Sequence, residues 1–495
     1  MIKRIFPFLD WFSGYNLGLF KADAIAGLTV ALVLIPQSMA YAQLAGLPAY
    51  FGLYAAFLPP MVAALFGSSR QLATGPVAVV SLMTSASLEP LATMGSEGYI
   101  AYAILLALLV GIFQLTLGIL RLGLVVNFLS HPVVNGFTNA AAIIIATSQL
   151  SKMFGVNVDN AEHHYETITR VVQSAVHYTH WPTLLMGIFA LAIMIGVKRL
   201  APRIPNVLVA VVITTLLSWG IGFEHNTTVD TSALRSPRTL ELIRSFNEAT
   251  NGIGPLAEER TRTGKNLEEA KKGHNAMARL VAEHEDRVIQ SRIEELKEKS
   301  HLFREELRLV LLKAVPQDGE GTLYYPADEQ LARAPIDGRT WRLRVGNKPL
   351  NPNELQLKGG GAVVGTVPKG LPALGMPKID LGILLHLFPY AAIISLLGFM
   401  EAISIAKAIA SKTGQRIDPN QELIGQGLAN IIGAIGKSYP SSGSFSRSAV
   451  NLQAGAATGM SSVFTSLAVV IALLFFTPLL YHLPQSVLAA IIMMA

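Results

Sequence analysis

The sequence has no cysteine and few charged side chains. None of its 495 residues is cysteine and only 15% are charged, whereas 51% are hydrophobic. The lack of cysteine excludes disulfides, thiolate catalysis and cysteine-based metal sites. So low a charge content over so long a chain excludes an ordinary water-soluble protein, and the long uncharged runs predict a polytopic membrane protein.

The sequence also lacks the motifs of an enzyme or a nucleic-acid-binding protein. Its hydrophobic runs contain no metal-ligand cluster, phosphate-binding loop or paired nucleophile and base, so we predict no catalytic residue, metal or cofactor. The net charge of +6 is mild. A small basic excess is expected when cytoplasmic loops hold lysine and arginine, so it does not indicate a nucleic-acid partner.

The sequence does contain twelve apolar runs in two blocks, which predict helices in a lipid bilayer. Seven candidate spans precede a polar segment and five follow it, at about residues 23–45, 50–66, 73–94, 101–128, 131–150, 182–199, 203–223, 381–406, 421–436, 443–457, 460–483 and 484–495. We therefore predict a first membrane repeat over 1–223, an insertion outside the membrane over 224–378 and a second, incomplete membrane repeat over 379–495.

The basic residues of the short loops predict the orientation. If every run spans once, most of them fall on one side: Lys3, Arg4, Lys21, Arg70, Arg121, Lys198, Arg199, Arg203, Lys407, Lys412 and Arg416. The opposite short loops hold only Lys152, Arg170 and Lys437. The positive-inside rule then places the N-terminus in the cytoplasm and the insertion outside. In a bacterial inner membrane, the insertion would be periplasmic.

The insertion combines helical and strand-like stretches. Apolar residues recur at helical spacing among charged residues over about 256–314, and strand-like pieces follow at 322–325 and 340–345. We predict an α+β insertion with a helical hairpin, or a coiled-coil contact with a second copy in a homodimer. A solvated accessory domain is the alternative.

Two apolar runs are interrupted at corresponding places, third in the first block and third after the insertion. One begins Ala73-Thr-Gly-Pro76, and the other follows Tyr439-Pro-Ser-Ser-Gly443. Each predicts an extended piece that leads into a short helix, which over 444–457 has helix-compatible composition. Such a pair is typical of an inverted-repeat transporter with a midplane site. Alternatively, glycine and proline only permit close packing and kinks.

Two ionisable residues, Glu401 and Arg447, stand out inside the spans. Charged groups are costly there and are functional candidates. We expect an anion to be held by helix N-termini, Ser444, Ser446 and Arg447. An apolar setting disfavours the charged form of Glu401, so this carboxyl group could take up a proton and compensate the charge brought in by the anion. A Glu401–Arg447 ion pair that only locks two helices is the alternative.

Polar side chains also interrupt the first span, just after Pro36. Gln37, Ser38 and Tyr41 could donate hydrogen bonds to the oxygens of an anion. They could equally satisfy neighbouring backbone groups.

Long motifs in both blocks resemble the SulP family of sulfate permeases and related anion exchangers. They are Pro36-Gln-Ser-Met-Ala-Tyr-Ala-Gln-Leu-Ala-Gly-Leu-Pro48, Gly52-Leu-Tyr54, Thr74-Gly-Pro76, His131-Pro-Val-Val-Asn-Gly-Phe137, Gly365-Thr-Val-Pro-Lys-Gly-Leu-Pro372 and Ser442-Gly-Ser-Phe-Ser-Arg-Ser-Ala-Val-Asn451. The resemblance implies an all-α transporter fold of fourteen segments in two inverted repeats of seven. It also implies core and gate domains, an elevator-like movement and an anion between two half-helices that meet at the midplane.

The same resemblance implies which residues line the site. Carried over by position, they are Gln37, Tyr41, the backbone at Val77 and Ala78, Phe445, Ser446 and Arg447. Glu401 matches the coupling carboxylate of proton-linked members. We therefore expect proton-coupled sulfate uptake. The alternatives are an anion exchanger or a bicarbonate or dicarboxylate carrier on the same scaffold and, from another class, a membrane scaffold or receptor that does not transport.

The chain departs from the family pattern at two places. The family usually continues through two further spans into a cytoplasmic STAS domain, whereas this chain ends at Ala495 within an apolar run. We therefore expect a C-terminally truncated chain. The insertion between the seventh and eighth runs is not part of the family pattern.

Overall fold

The computed structural model describes residues 6–92, 94–123, 131–158, 163–201, 204–272, 276–317, 321–327, 339–346, 348–377, 379 and 381–494. The chain divides into two compact units. The membrane unit consists of Met1–Val156, Glu162–Ile221 and Ala362–Ala495, and the insertion unit consists of Asn157–Ala161 and Gly222–Gly361. The three-domain division made from the sequence stays a prediction. Of the basic residues used for the orientation, Lys3, Arg4 and Arg203 lie outside the described residues.

The membrane unit is built mostly from helices. In chain order the first ten are α1 Leu17–Leu44, α2 Tyr50–Tyr54, α3 Leu58–Phe66, α4 Ala78–Leu88, α5 Glu97–Ile119, α6 His131–Ser148, α7 Leu150–Phe154, α8 His164–Tyr178, α9 Trp181–Leu200 and α10 Asn206–Gly220. After the insertion follow α13 Leu381–Thr413, α14 Pro419–Ile435, α15 Phe445–Gln453, α16 Met460–Ile471 and α17 Gln485–Met494. A π-helical turn over Ala472–Phe476 and a 3-10 turn over Thr477–Leu480 continue α16.

Several helices have the length and composition of membrane spans. Among the described residues, five helices are long and apolar enough to cross a bilayer: Leu17–Leu44, Glu97–Ile119, Trp181–Leu200, Gly382–Thr413 and Met460–Leu480. Local sequence explains where some of them begin. Asn16 caps α1 by accepting a hydrogen bond from the amide of Leu19 at 3.0 Å, and Asp418 caps α14, which has proline at its first position.

A short antiparallel strand pair lies inside the membrane unit, which is therefore mostly rather than entirely helical. Strand β1, Ala73–Gly75, pairs with β7, Ser442–Ser444, so that Ala73 lies opposite Ser444 and Gly75 opposite Ser442. Each strand leads directly into a short helix, β1 into α4 and β7 into α15. The two interrupted segments of the sequence thus meet. We call this strand pair and the N-termini of its two helices the crossing.

Glycine at position 443 lets another helix approach the crossing closely. A Cβ atom on Gly443 would lie 3.0 Å from the Cα and Cβ atoms of Ala402 in α13. A side chain there would push α13 away from β7, since contacts this short are strongly repulsive. The hydroxyl of Ser442 reinforces the contact by donating a hydrogen bond to the carbonyl of Gly398 at 2.7 Å.

The insertion unit combines two helices with two small sheets. Its elements are β2 Asn226–Val229, α11 Pro237–Lys272, α12 Ala276–Leu309, β3 Leu312–Gln317, β4 Gly321–Pro326, β5 Arg342–Leu343 and β6 Leu355–Lys358. The sheets have the orders β2-β6-β5 and β3-β4. The first helix begins at Pro237, earlier than the predicted start at 256. Ile243 and Phe246 of this additional part are buried in the core of the unit, which stabilises it.

Candidate functional site

Two helix N-termini flank the strand pair of the crossing, one at each end, because the strands are antiparallel. Val77 precedes α4 and Ser444 precedes α15, and neither side chain makes a capping hydrogen bond. The first amide groups of a helix have no partner within the helix and carry the positive end of its dipole. The antiparallel register directs the two N-termini at the same strand pair from opposite ends, and such N-termini can hold an anion.

Arg447 lies in the first turn of α15 and is fully buried, with 0% of its surface exposed. Its Nη1 donates a hydrogen bond to Oε1 of Gln37 at 3.1 Å. Its Nε and Nη2 have no hydrogen-bond partner among the described residues. A buried cation with two unsatisfied donors is unfavourable by itself and is stabilised when an acceptor with negative charge binds.

Helix α1 supplies the other side of this arrangement. It continues through Pro36 without a break. Gln37 and Tyr41 are both buried, one turn apart, and Nε2 of Gln37 donates to the hydroxyl of Tyr41 at 3.0 Å. The guanidinium of Arg447, Gln37 and Tyr41 therefore form one hydrogen-bonded chain. Ser38 instead donates to the carbonyl of Ile35 at 2.9 Å, so its hydroxyl satisfies neighbouring backbone.

Glu401 lies on α13 beside the crossing, between the residues that contact β7. Its side chain is only partly buried. It is near enough to Arg447 for an electrostatic interaction, but no ion pair joins these two described residues. The alternative in which the two residues form a direct ion pair that locks two helices is therefore not what the structure contains.

The remaining predicted residues lie at the ends of α4 and α15. Val77 is buried, whereas Ala78 is half-buried. Ser444 is buried, and its hydroxyl lies 3.4 Å from that of Ser446, which is exposed. Phe445 is 67% exposed. The structure thus brings all the predicted site residues to the crossing or to the helices against it, and their role in binding stays a prediction.

The sequence analysis missed two buried carboxylates near span ends, since it singled out only Glu401 and Arg447. Asp23 of α1 is fully buried and accepts hydrogen bonds from the amides of Ala457 and Thr458 at 2.7 and 3.0 Å. Glu422 of α14 is 2% exposed and accepts hydrogen bonds from residues just before β1. The sequence held one signal for Glu422, since Gln426 and Asn430 follow it at intervals of four residues in the same apolar run.

No group of three or more histidine, aspartate or glutamate side chains in the described part of the chain is placed to hold a metal ion. The chemistry available at the crossing is that of anion binding by amide groups and one guanidinium.

The sequence of this chain is similar to the members of one known protein family. The model of the sulfate permease family matches residues 20–251 and 348–495. Sulfate transporter 4.1, chloroplastic, of Arabidopsis thaliana is 31% identical over 495 residues, which are 100% of this chain and 53% of the relative. The sodium-independent sulfate anion transporter of Bos taurus is 28% identical over 503 residues, 100% of this chain and 64% of the relative. The chain thus spans a little more than half the length of these curated relatives.

Solved structures show the same fold. The murine Solute Carrier 26 family member A9 anion transporter in the inward-facing state has a TM-score of 0.67 at 20% identity, over 99% of this chain and 62% of that chain. The transmembrane domain of the cyanobacterium bicarbonate transporter BicA has a TM-score of 0.63 at 18% identity, over 97% of this chain and 89% of that chain.

Proposed function

The chain belongs to the sulfate permease family, and from this premise we propose that it is a secondary active transporter that takes up sulfate together with protons. The family is one of anion transporters and not of enzymes. The protein is an integral, multi-pass membrane protein. Sulfate is the substrate named for the Arabidopsis and bovine relatives, and this supports sulfate as the anion here.

One observation carries the proposal: the buried guanidinium of Arg447, from the first turn of α15, lies against Gly75 of β1, the strand that leads into α4, and neither helix has a side-chain cap. Sulfate is a compact dianion whose four oxygens accept hydrogen bonds. The free Nε and Nη2 of Arg447 and the first amides of α4 and α15 are donors of matching charge. Tyr41 and Gln37 complete the buried side of this site, and Ser444, Phe445 and Ser446 form its opening.

Proton coupling is assigned to Glu401. A dianion brought next to Arg447 leaves net negative charge in a region of low dielectric, which is unfavourable. Protonation of the neighbouring Glu401 removes one negative charge and offsets this cost. Because Glu401 makes no direct ion pair with Arg447, it is free to exchange a proton as sulfate enters or leaves.

Transport then requires that the crossing be exposed to the two sides in turn. We propose an elevator-like movement in an inverted-repeat fold of seven plus seven segments, and the likeness to an anion transporter in an inward-facing state supports alternating access. We place the protein as a homodimer in a bacterial inner membrane, with its N-terminus in the cytoplasm and the insertion in the periplasm. The distribution of basic residues supports this orientation.

Uptake into proteoliposomes tests the proposal. The purified chain should accumulate labelled sulfate when the vesicle exterior is more acidic than the interior. Unlabelled sulfate should compete better than bicarbonate or a dicarboxylate. A folded protein that takes up sulfate without any effect of the proton gradient would contradict the coupling, and stronger competition by bicarbonate would contradict the assigned substrate.

A further inference from the structure

Helix α14 carries a stripe of buried polar side chains on the face toward the crossing. Glu422, Gln426 and Asn430 follow one another at intervals of four residues and are 2%, 1% and 1% exposed. Residues four apart lie about one turn apart on the same face of a helix. Buried polar groups in a membrane span are costly unless they are hydrogen-bonded. Each of the three side chains makes at least one hydrogen bond, although Oε1 of Gln426 has no partner among the described residues.

Each of the three side chains binds a different part of the chain that leads into the crossing. Oε1 of Glu422 accepts hydrogen bonds from the amide and hydroxyl of Ser68, at 2.6 and 2.9 Å, a few residues before β1. Nε2 of Gln426 donates to the hydroxyl of Thr74, within β1, at 2.8 Å. Thr74 therefore faces α14, whereas its neighbour Gly75 faces Arg447.

Asn430 binds the residue just before the other strand, β7. Its Oδ1 accepts a hydrogen bond from the amide of Ser441 at 2.8 Å, and its Nδ2 donates to the carbonyl of the same residue at 3.1 Å. Ser441 directly precedes β7. The Nδ2 atom also donates to Oε1 of Gln114 in α5 at 3.1 Å, and Gln114 donates to the carbonyl of Ser395 in α13. Asn430 thus ties the entry of β7 to α5 and α13.

One rigid helix therefore holds both strands of the crossing, through side chains about 6 Å apart along its axis. We propose that Gln426 and Asn430 are positioning residues, which set the relative position of the N-termini of α4 and α15 and thereby the affinity for the anion. This inference rests on the function proposed above. Neither residue contacts the anion, because each acts through the strand that it holds.

A pair of substitutions at one hydrogen bond tests the inference, with a matched control on the same helix. Gln426→Met removes the donor to β1, Thr74→Val removes the acceptor, and Thr74→Ser keeps it. Gln421→Met is the control: Gln421 also lies on α14, but its Nε2 donates to the carbonyl of Phe66, the last residue of α3, at 2.6 Å and not to a residue of β1 or β7. Three quantities are measured in the whole chain: sulfate Kd, melting temperature, and amide hydrogen exchange at residues 73–78 and 442–447.

We expect Gln426→Met and Thr74→Val each to raise the Kd for sulfate about three- to tenfold and to speed amide exchange at the crossing. Their double variant should weaken binding by less than the product of the two single effects, since both remove one bond. Thr74→Ser should retain the affinity. Gln421→Met should lower the melting temperature without a change in Kd.

The results separate this inference from the proposed function. If the wild type binds sulfate, and Gln426→Met alters only the melting temperature, as Gln421→Met does, then the stripe is merely structural and the inference is wrong. If the folded wild type does not bind sulfate, while Gln426→Met still loosens the amides of both helix N-termini, then the positioning role holds and the assigned substrate is wrong.

Discussion

Replacing Arg447 by methionine gives the sharpest contrast between a structural and a binding role. An arginine this deeply buried normally stabilises a fold, and its removal should then lower stability. Here two of its donors, Nε and Nη2, have no partner among the described residues. Each unsatisfied buried donor costs about 1–3 kcal/mol. In sulfate-free protein these costs, together with the desolvation of the charge, offset the single bond to Gln37.

We therefore expect Arg447→Met to leave the stability of the sulfate-free protein unchanged or to raise it. Sulfate binding should be lost, because two hydrogen bonds from a charged donor contribute about 1.5–3 kcal/mol each. Their loss corresponds to a rise in Kd of about a hundredfold to ten-thousandfold.

Thermal unfolding with and without sulfate measures both effects. Sulfate at about a hundred times the Kd of the wild type should stabilise the wild type by about 2.7 kcal/mol and Arg447→Met by no more than about 0.4 kcal/mol. Arg260→Met is the control, since Arg260 lies in the insertion unit and pairs with Asp286 at 3.0 Å. A variant that is strongly destabilised without sulfate, yet still shifts its melting temperature with sulfate, would refute this reasoning.

Three further perturbations address coupling, packing and the insertion unit. Glu401→Gln should keep sulfate exchange across proteoliposome membranes but abolish its stimulation by a proton gradient, and stimulation equal to wild type would exclude Glu401 as the proton carrier. Gly443→Ala should lower stability by about 1–3 kcal/mol and weaken sulfate binding, because the new methyl group meets Ala402. Gly196 has open space around it, so Gly196→Ala is the control in the melting and binding measurements. Burial, and to a smaller extent repulsion from Arg344, lowers the pKa of Lys358 from 10.5 to about 8. Below pH 8 the lysine is therefore protonated in both the folded and the unfolded protein, and its buried charge destabilises the insertion unit. Between pH 8 and 10.5 the lysine of the folded protein has lost its proton while that of the unfolded protein keeps it, so the stability of the insertion unit should rise with pH. Lys358→Met should slow amide exchange in β6 at pH 7 and abolish this rise. A pH profile of stability equal to that of the wild type would contradict the lowered pKa of Lys358.

The two interrupted segments are the part of the backbone around the site that the sequence indicated. Proline and glycine before a helix-compatible stretch predict an extended piece and a short helix, which correspond to β7 and α15. The antiparallel pairing of Ala73–Gly75 with Ser442–Ser444 could not be predicted. A strand of three small residues has no alternation of apolar and polar side chains, and the two strands are hundreds of residues apart in the chain.

The buried polar stripe shows a second limit of sequence reasoning. Glu422, Gln426 and Asn430 lie in an apolar run, yet their spacing alone does not tell whether they face lipid, water or protein. Only the packing of α14 against α3 and α5 decides this, and it buries all three. The same holds for Asp23, which lies at the edge of a run and is buried against the turn before α16 and against Tyr15.

The helical part of the insertion was predicted to begin at about residue 256, directly after Pro255. A proline within a helical pattern often marks the end of a helix. In the structure α11 continues through Pro255. The buried residues Ile243 and Phe246 anchor the part that precedes the proline.

Uptake of labelled sulfate by the wild-type chain and by Arg447→Met in proteoliposomes shows whether the anion binds at the crossing. The wild type should accumulate sulfate under an inward proton gradient, whereas Arg447→Met, though folded, should not. Equal accumulation by the two proteins would contradict the claim that the anion binds at the crossing.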